Sequence, residues 1–240
     1  MAMKTTCNCS DKTENTLDFP TGPQYWNLPT PELYRHAILN KEAQIAEGGA
    51  LVAMTGKHTG RSAKDKFIIR EASSQDRVWW EGGNTPISTE NYNRLLKKMK
   101  EHFSKKPVYV RDCYVGADTG SRLKVRVINE LAWHNLFVKS LFIEVPQAEL
   151  PGFKPDYTIM CAPSLPAEPK TDGTASGTFI TLNFAEKTVL IGSSAYAGEI
   201  KKSVFTIMNY LLPLNGTLSM HCSANMGKNG DTALFFGLSG

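Results

Sequence analysis

The chain has 240 residues, 41% of them hydrophobic and 21% charged, enough to bury a sizeable core in one large or two small units. Its 27 basic and 23 acidic residues leave a formal net charge of +4, without the clustered basic stripes and interleaved aromatics of a nucleic-acid binder. A mild positive bias of this kind suits small polyanionic partners such as dicarboxylates and nucleotides.

The opening MAMKTTCNCSDKTEN is polar and lacks the apolar core of a signal peptide. No later run approaches the roughly 20 apolar residues of a membrane span, so a cytoplasmic protein without a membrane partner is expected. Residues 1–18 are expected to form a disordered tail. The five cysteines are odd in number and scattered, which predicts free thiols, and the Cys7–Cys9 pair has no second pair to complete a zinc site.

Thr30-Pro31-Glu32 predicts a helix start, with Thr30 as cap, and the helix carries Leu33, Ala37 and Ile38 as far as Gly48-Gly49. Strands are predicted at Ala50–Met54 and Lys66–Ile69. Ser88 is expected to cap an amphipathic helix with Tyr92, Leu95, Leu96, Met99 and Phe103 on one face. Val108–Val110 and Leu123–Ile128 read as strands, Glu130–Ser140 as a helix and Tyr157–Met160 as a strand. The Pro-, Thr-, Ser- and Gly-rich stretch Pro163–Gly177 reads as a surface loop. Thr178–Asn183 and Thr188–Ile191 read as a hairpin joined across Phe184–Lys187. Helices and strands alternate irregularly and no internal repeat occurs. The predicted fold is therefore α/β, with a mixed β-sheet and flanking helices rather than a doubly wound Rossmann sheet.

The chemistry concentrates in Tyr196–Gly240. Val204, Ile207, Met208 and Leu211 lie on one helix face, which puts Lys201 and Lys202 in the first turn, where a cation opposes the helix dipole. Two lysines held there suggest an anion or a metal nearby, although on spacing alone a solvated pair is the plainer alternative. His221, after Leu218 and Met220, has the pattern of a core histidine. Thr232–Phe236 reads as a short buried strand, and the GLSG that follows begins like a phosphate loop without the Gly-Lys-Ser/Thr that completes one. Upstream, TGKHTGRSAKDK is a Gly-, Ser- and Lys-rich loop around Arg61. It could serve as a carboxylate site or be a basic exposed turn.

YAGEIKK, NYLLPL, MHCSAN and FFGLSG, in that order and with TGKHTGRSAKDKFIIRE upstream, closely resemble the ATP-dependent phosphoenolpyruvate carboxykinases. The resemblance extends from about Asn27 onward. It implies an N-terminal substrate-binding domain over 19–222 and the start of a truncated P-loop domain over 223–240. It further implies an enzyme that converts oxaloacetate and ATP to phosphoenolpyruvate, carbon dioxide and ADP in gluconeogenesis, a lyase whose nucleotide domain lies outside this chain. The fragment alone is then expected to be inactive.

By the same resemblance Arg61 holds the substrate carboxylate and Tyr196 lies beside the substrate. Lys201 lies near the reacting carbon and phosphate as an electrostatic stabiliser or proton donor, and Lys202 and His221 are ligands of a catalytic Mn2+. Lys202, His221, Gly237, Leu238, Ser239 and Gly240 face the nucleotide, which carries Mg2+. A metal-bound lysine must be neutral, and the metal, Lys201 and the helix N-terminus together would favour that form. Ala63 departs from the family in replacing the proline usual after Arg-Ser. Ser193-Ser194-Ala195 also replaces a more glycine-rich or bulky run. A stand-alone, non-catalytic anion-binding or regulatory module is the competing expectation.

Overall fold

The structure, a computed structural model, describes residues 17–237. The expected tail before Leu17, with Cys7 and Cys9, lies outside the described residues, as do Leu238, Ser239 and Gly240. The strands and helices run β1 (Gln24–Trp26), α1 (Thr30–Leu39), β2 (Ala43–Ile45), β3 (Leu51–Ala53), β4 (Lys66–Ile69), β5 (Thr85–Ile87), α2 (Thr89–Phe103) and β6 (Val108–Val115). They continue with β7 (Leu123–Asn129), α3 (Ala132–Leu141), β8 (Ile143–Glu144), β9 (Tyr157–Ala162), α4 (Pro169–Asp172), β10 (Phe179–Asn183) and β11 (Thr188–Gly192). Last come α5 (Gly198–Leu214), β12 (Ser223–Met226) and β13 (Thr232–Phe235).

Among the described residues, nine strands form one sheet in the order β1-β6-β7-β9-β11-β10-β4-β5, with β8 paired to β6. The β6–β7 and β10–β11 pairs are antiparallel, while β7–β9, β9–β11 and β10–β4 are parallel. This is the mixed sheet the irregular alternation predicts.

Side chains alternate across a strand, and here both faces are apolar. Phe67, Ile69, Ile128, Met160, Phe179 and Leu190 pack with Tyr92, Leu95, Met99 and Phe103 of α2. Their neighbours Ile68, Val127, Ile159, Ile180, Val189 and Ile191 pack on the opposite face with Ile200, Val204 and Ile207 of α5. The sheet is thus the middle layer, and α5 lies directly over its centre.

Several boundaries match the expectation because they are locally encoded. The Ser88 hydroxyl accepts the Asn91 N–H at 3.2 Å and opens α2. The β10–β11 hairpin pairs Asn183 with Thr188 across the predicted turn.

Three segments differ. The first helix stops at Leu39, and Pro29 rather than Thr30 takes the cap position. Residues beyond it form the β2–β3 hairpin, in which Gly48 and Gly49 supply the positive φ of its turn, 87° and 91°. The Pro163–Gly177 loop contains the single helical turn α4. The last strand, β13, is exposed rather than buried. It pairs only with β12, no other layer covers it among the described residues, and Leu234, Phe235 and Phe236 are 51%, 61% and 71% exposed. Among the described residues no helix is long and apolar enough to cross a membrane.

One buried group ties α3 to the start of α5. His134 is fully buried, with Nε2 2.9 Å from the Ala195 carbonyl and Nδ1 3.7 Å from Cys161 Sγ. A carbonyl only accepts, so Nε2 carries the proton and donates. Burial pushes the imidazole down to about 4, against the opposing effects of that hydrogen bond and Glu130. Below the ordinary histidine range the unfolded chain therefore binds a proton that the folded chain refuses, and stability falls as pH drops from about 6.5 towards 4. His134 is expected to contribute about 3 kcal/mol to that loss. The difference in denaturant unfolding between the wild type and His134→Gln at pH 7 and pH 4.5 measures it. A difference that does not change with pH would contradict the assignment.

Candidate functional site

The start of α5 organises the site. Successive helix residues are about 100° apart and cannot share a face, so Lys201 and Lys202 turn to different hollows. Lys202, half-buried, faces a cleft of about 220 Å3 with Arg61, Ser62, Lys66, Glu199 and Thr206. Lys201, exposed, lines a larger hollow of about 630 Å3 with Tyr196, Tyr34, Trp133 and Phe137. The residues expected in one site are thus distributed over two hollows on either side of the helix start: Arg61 with Lys202, and Tyr196 with Lys201.

Lys202 Nζ lies 3.2 Å from His221 Nε2, across 19 residues of chain. Phe205 supports both groups, with the ammonium 4.9 Å from its ring centroid and the imidazole 5.4 Å away. His221 is exposed in the bend before β12, so the core position its apolar neighbours suggested does not hold. Burial first, then the Arg61 and Lys201 charges, pull the Lys202 ammonium below the ordinary lysine range. Among the described residues no three His, Cys, Asp or Glu side chains cluster as a metal cage. The Lys202–His221 pair is where two nitrogen donors approach closely enough to share one ion.

The Arg61 loop is held against α5 by its backbone and by Lys66. The Ser62 N–H donates to Glu199 Oε1 at 2.6 Å, and Lys66 Nζ donates to Thr206 Oγ1 at 3.0 Å. The Thr206 hydroxyl in turn donates to the Lys202 carbonyl at 2.9 Å. Asp65 accepts from Ser62 Oγ and, at 2.8 Å, from Ser176 Oγ. Burial pushes the Glu199 carboxyl up, opposed by the Ser62 N–H and the charges of Arg61, His58 and Lys66. Burial, then the Arg61 charge, pulls Lys66 down, opposed by Glu199.

Tyr196 is positioned by its neighbours. Ser193 adopts a positive φ of 54°, a strained conformation for a residue with a side chain. Its carbonyl accepts from the Thr178 hydroxyl at 3.2 Å, while Thr178 Oγ1 accepts from His58 Nε2 at 2.9 Å. The Tyr196 ring then lies over Gly198, where a Cβ would come within 2.4 Å of it. Gly237 is exposed at the end of the described residues.

Sequence reasoning missed Glu199, Lys66 and Thr206. Glu199 and Thr206 stand three before and four after Lys202, a spacing that was visible. Their partners lie about 140 residues upstream and were not visible.

Fold and site together define a mixed α/β protein with a cleft lined by Arg61, Lys66 and Lys202 and a lysine–imidazole pair at the start of a helix. A protein-family model for phosphoenolpyruvate carboxykinase matches residues 23–240, and the chain belongs to that family. Relatives named phosphoenolpyruvate carboxykinase (ATP) from Azorhizobium caulinodans and Rhodopseudomonas palustris are each 50% identical over 216 residues, covering 90% of this chain and 40% of the relative. A third, from Chelativorans sp., is 48% identical over 220 residues, covering 92% of this chain and 41% of the relative. The chain spans about two fifths of the length of these curated relatives.

Proposed function

We propose that this chain is the substrate-binding part of an ATP-dependent phosphoenolpyruvate carboxykinase, which decarboxylates oxaloacetate and phosphorylates the resulting enolate with ATP. The observation that carries the reading is the 3.2 Å approach of Lys202 Nζ to His221 Nε2 beside the Arg61 cleft, in a chain belonging to this family. Gluconeogenic use in the cytoplasm belongs to the same reading, as does a nucleotide site completed by polypeptide outside this chain. The described cysteines, Cys113, Cys161 and Cys222, are free thiols, consistent with a reducing compartment.

In this reading Arg61 holds the carboxylate of oxaloacetate through its guanidinium fork. Tyr196 and Lys201 bound the substrate from the other side of the helix start, where Lys201 stabilises negative charge as carbon dioxide departs. Gly237 to Gly240 contribute backbone N–H groups to the phosphates of ATP.

Lys202 and His221 would hold the divalent ion. Two nitrogens about 2.1 Å from one ion at right angles are about 3 Å apart, so a 3.2 Å separation fits a shared ion. Burial and the Arg61 and Lys201 charges pull the Lys202 ammonium down, in the direction of the neutral amine that a ligand must be. Mn2+ is the ion proposed at this pair, with Mg2+ accompanying ATP. When bound, the ion supplies Lewis-acid stabilisation of the enolate oxygen and the transferring phosphoryl group.

The test is a coupled assay on the full-length enzyme carrying this chain, supplied with oxaloacetate, ATP and Mn2+. Phosphoenolpyruvate and ADP are expected in equal amounts. Oxaloacetate consumed without phosphoenolpyruvate, or no turnover with any divalent ion, would contradict the reading.

A further inference from the structure

Arg61 and Lys202 come from segments far apart in the sequence, and the placing of one segment on the other decides where the guanidinium faces. Two contacts set it, and both use the face of α5 that carries Lys202. Glu199 is three residues before Lys202 and Thr206 four after, so the three side chains stack along one stripe of the helix. Glu199 accepts the N–H of Ser62, the residue immediately after Arg61, at 2.6 Å. Lys66 reaches Thr206 at 3.0 Å, and the Thr206 hydroxyl closes back on the carbonyl of Lys202 itself. Lys66 is also fixed in the sheet, in register with Ile180 of β10. The loop carrying Arg61 is therefore pinned to the helix at one end and to both helix and sheet at the other.

The chemistry of the two pins supports a role beyond packing. Glu199 is buried, and its carboxylate is the acidic side chain of a cleft that also presents Arg61, Lys66 and Lys202. It offers its oxygen to a backbone N–H, leaving the Arg61 guanidinium exposed at the cleft. An acid that paired with Arg61 directly would compete with the substrate. Bonding the neighbouring backbone orients the arginine without occupying it.

We propose that Glu199 and Lys66 are positioning residues that clamp the Arg61 loop to α5 on either side of Lys202, so that the guanidinium is held facing the cleft where the substrate carboxylate binds; this rests on the carboxykinase reading above. Neither residue touches the substrate. Their effect passes through Arg61, and misplacement of a binding group by about 1 Å costs on the order of 100-fold in rate.

The test is a double-mutant cycle in the full-length enzyme, measuring kcat/KM for oxaloacetate and KM for ATP. Glu199→Ala is expected to lower kcat/KM for oxaloacetate by about 100-fold while KM for ATP holds. Glu199→Gln, whose amide oxygen still accepts the Ser62 N–H, should recover most of that loss. Arg61→Ala combined with Glu199→Ala should be no worse than Arg61→Ala alone, because a group acting through another adds nothing once that other is gone. Lys66→Met should show the same non-additivity. Glu199→Ala activity equal to wild type, or losses that multiply in the double variant, would overturn the clamp while leaving the carboxykinase reading intact. An Arg61→Ala enzyme with unchanged efficiency would overturn that reading and the clamp with it.

Discussion

Replacing Arg61 by alanine is expected to lower kcat/KM for oxaloacetate by two to three orders of magnitude, with ATP affinity largely unchanged. A charge-assisted hydrogen bond contributes about 1.5–3 kcal/mol, and a guanidinium meets a carboxylate through two of them. Losing both, each taken near the lower end of that range, removes about 3–4 kcal/mol of transition-state stabilisation, or roughly 200- to 1000-fold in rate. Arg61→Lys should recover little, because an ammonium is a point charge without the fork. Arg61 both holds the carboxylate and orients it, so the loss is expected in both KM and kcat. Steady-state kinetics of the two variants in the full-length enzyme, varying each substrate in turn, give the numbers. Unchanged efficiency with oxaloacetate would remove Arg61 from the site.

Much of the scaffold was legible because it is written locally. The α2 helix carries its own cap at Ser88 and a complete apolar stripe, and the β10–β11 hairpin is signalled by two β-rich runs around a short turn. Helix α5 was legible from Val204, Ile207, Met208 and Leu211. Strand β3 was legible at Ala50–Met54, but β2 was misread as helix because Gly48-Gly49 marks the turn of a hairpin as readily as the end of a helix. Strand β13 was misread for a different reason: an apolar run reports a preference for burial, while burial itself depends on what else covers it.

The candidate site was legible in its residues but not in its arrangement. Lys201 and Lys202 were read as one doublet, yet adjacent positions on a helix must diverge, and they line separate hollows. Arg61 could be singled out as a candidate carboxylate ligand. Nothing in its loop revealed that the loop leans on Glu199 and Thr206 through Ser62 and Lys66. Those contacts depend on β4 pairing with β10, a consequence of topology rather than of any local pattern. His134 was invisible for the same reason, since its acceptor Ala195 is 61 residues away.

Lys202 is the residue at which this account departs furthest from ordinary lysine chemistry, and the largest effect on the metal is expected there. If Lys202 and His221 share one divalent ion, the lysine must release its proton when the ion binds, so affinity rises with pH. A histidine ligand by itself brings such a rise to an end above the ordinary imidazole range near pH 6.5. With Lys202 as the second ligand the rise continues, because a lysine ammonium, which ordinarily keeps its proton to about pH 10.4, must also release one; burial and the Arg61 and Lys201 charges pull that group below its ordinary range. Lys202→Arg keeps a cation that does not deprotonate, so it is expected to weaken Mn2+ binding by at least about 100-fold and to abolish the second phase of the pH dependence. His221→Gln should abolish the first phase and keep nucleotide affinity. The direct measurement is titration of Mn2+ by electron spin resonance between pH 6 and 9, on the full-length enzyme and the Lys202→Arg variant. The account predicts affinity still climbing above pH 7.5 in the wild type and flat in the variant. Equal Mn2+ affinity in the two proteins across that range would mean that Lys202 is an ordinary substrate-facing cation and holds no metal.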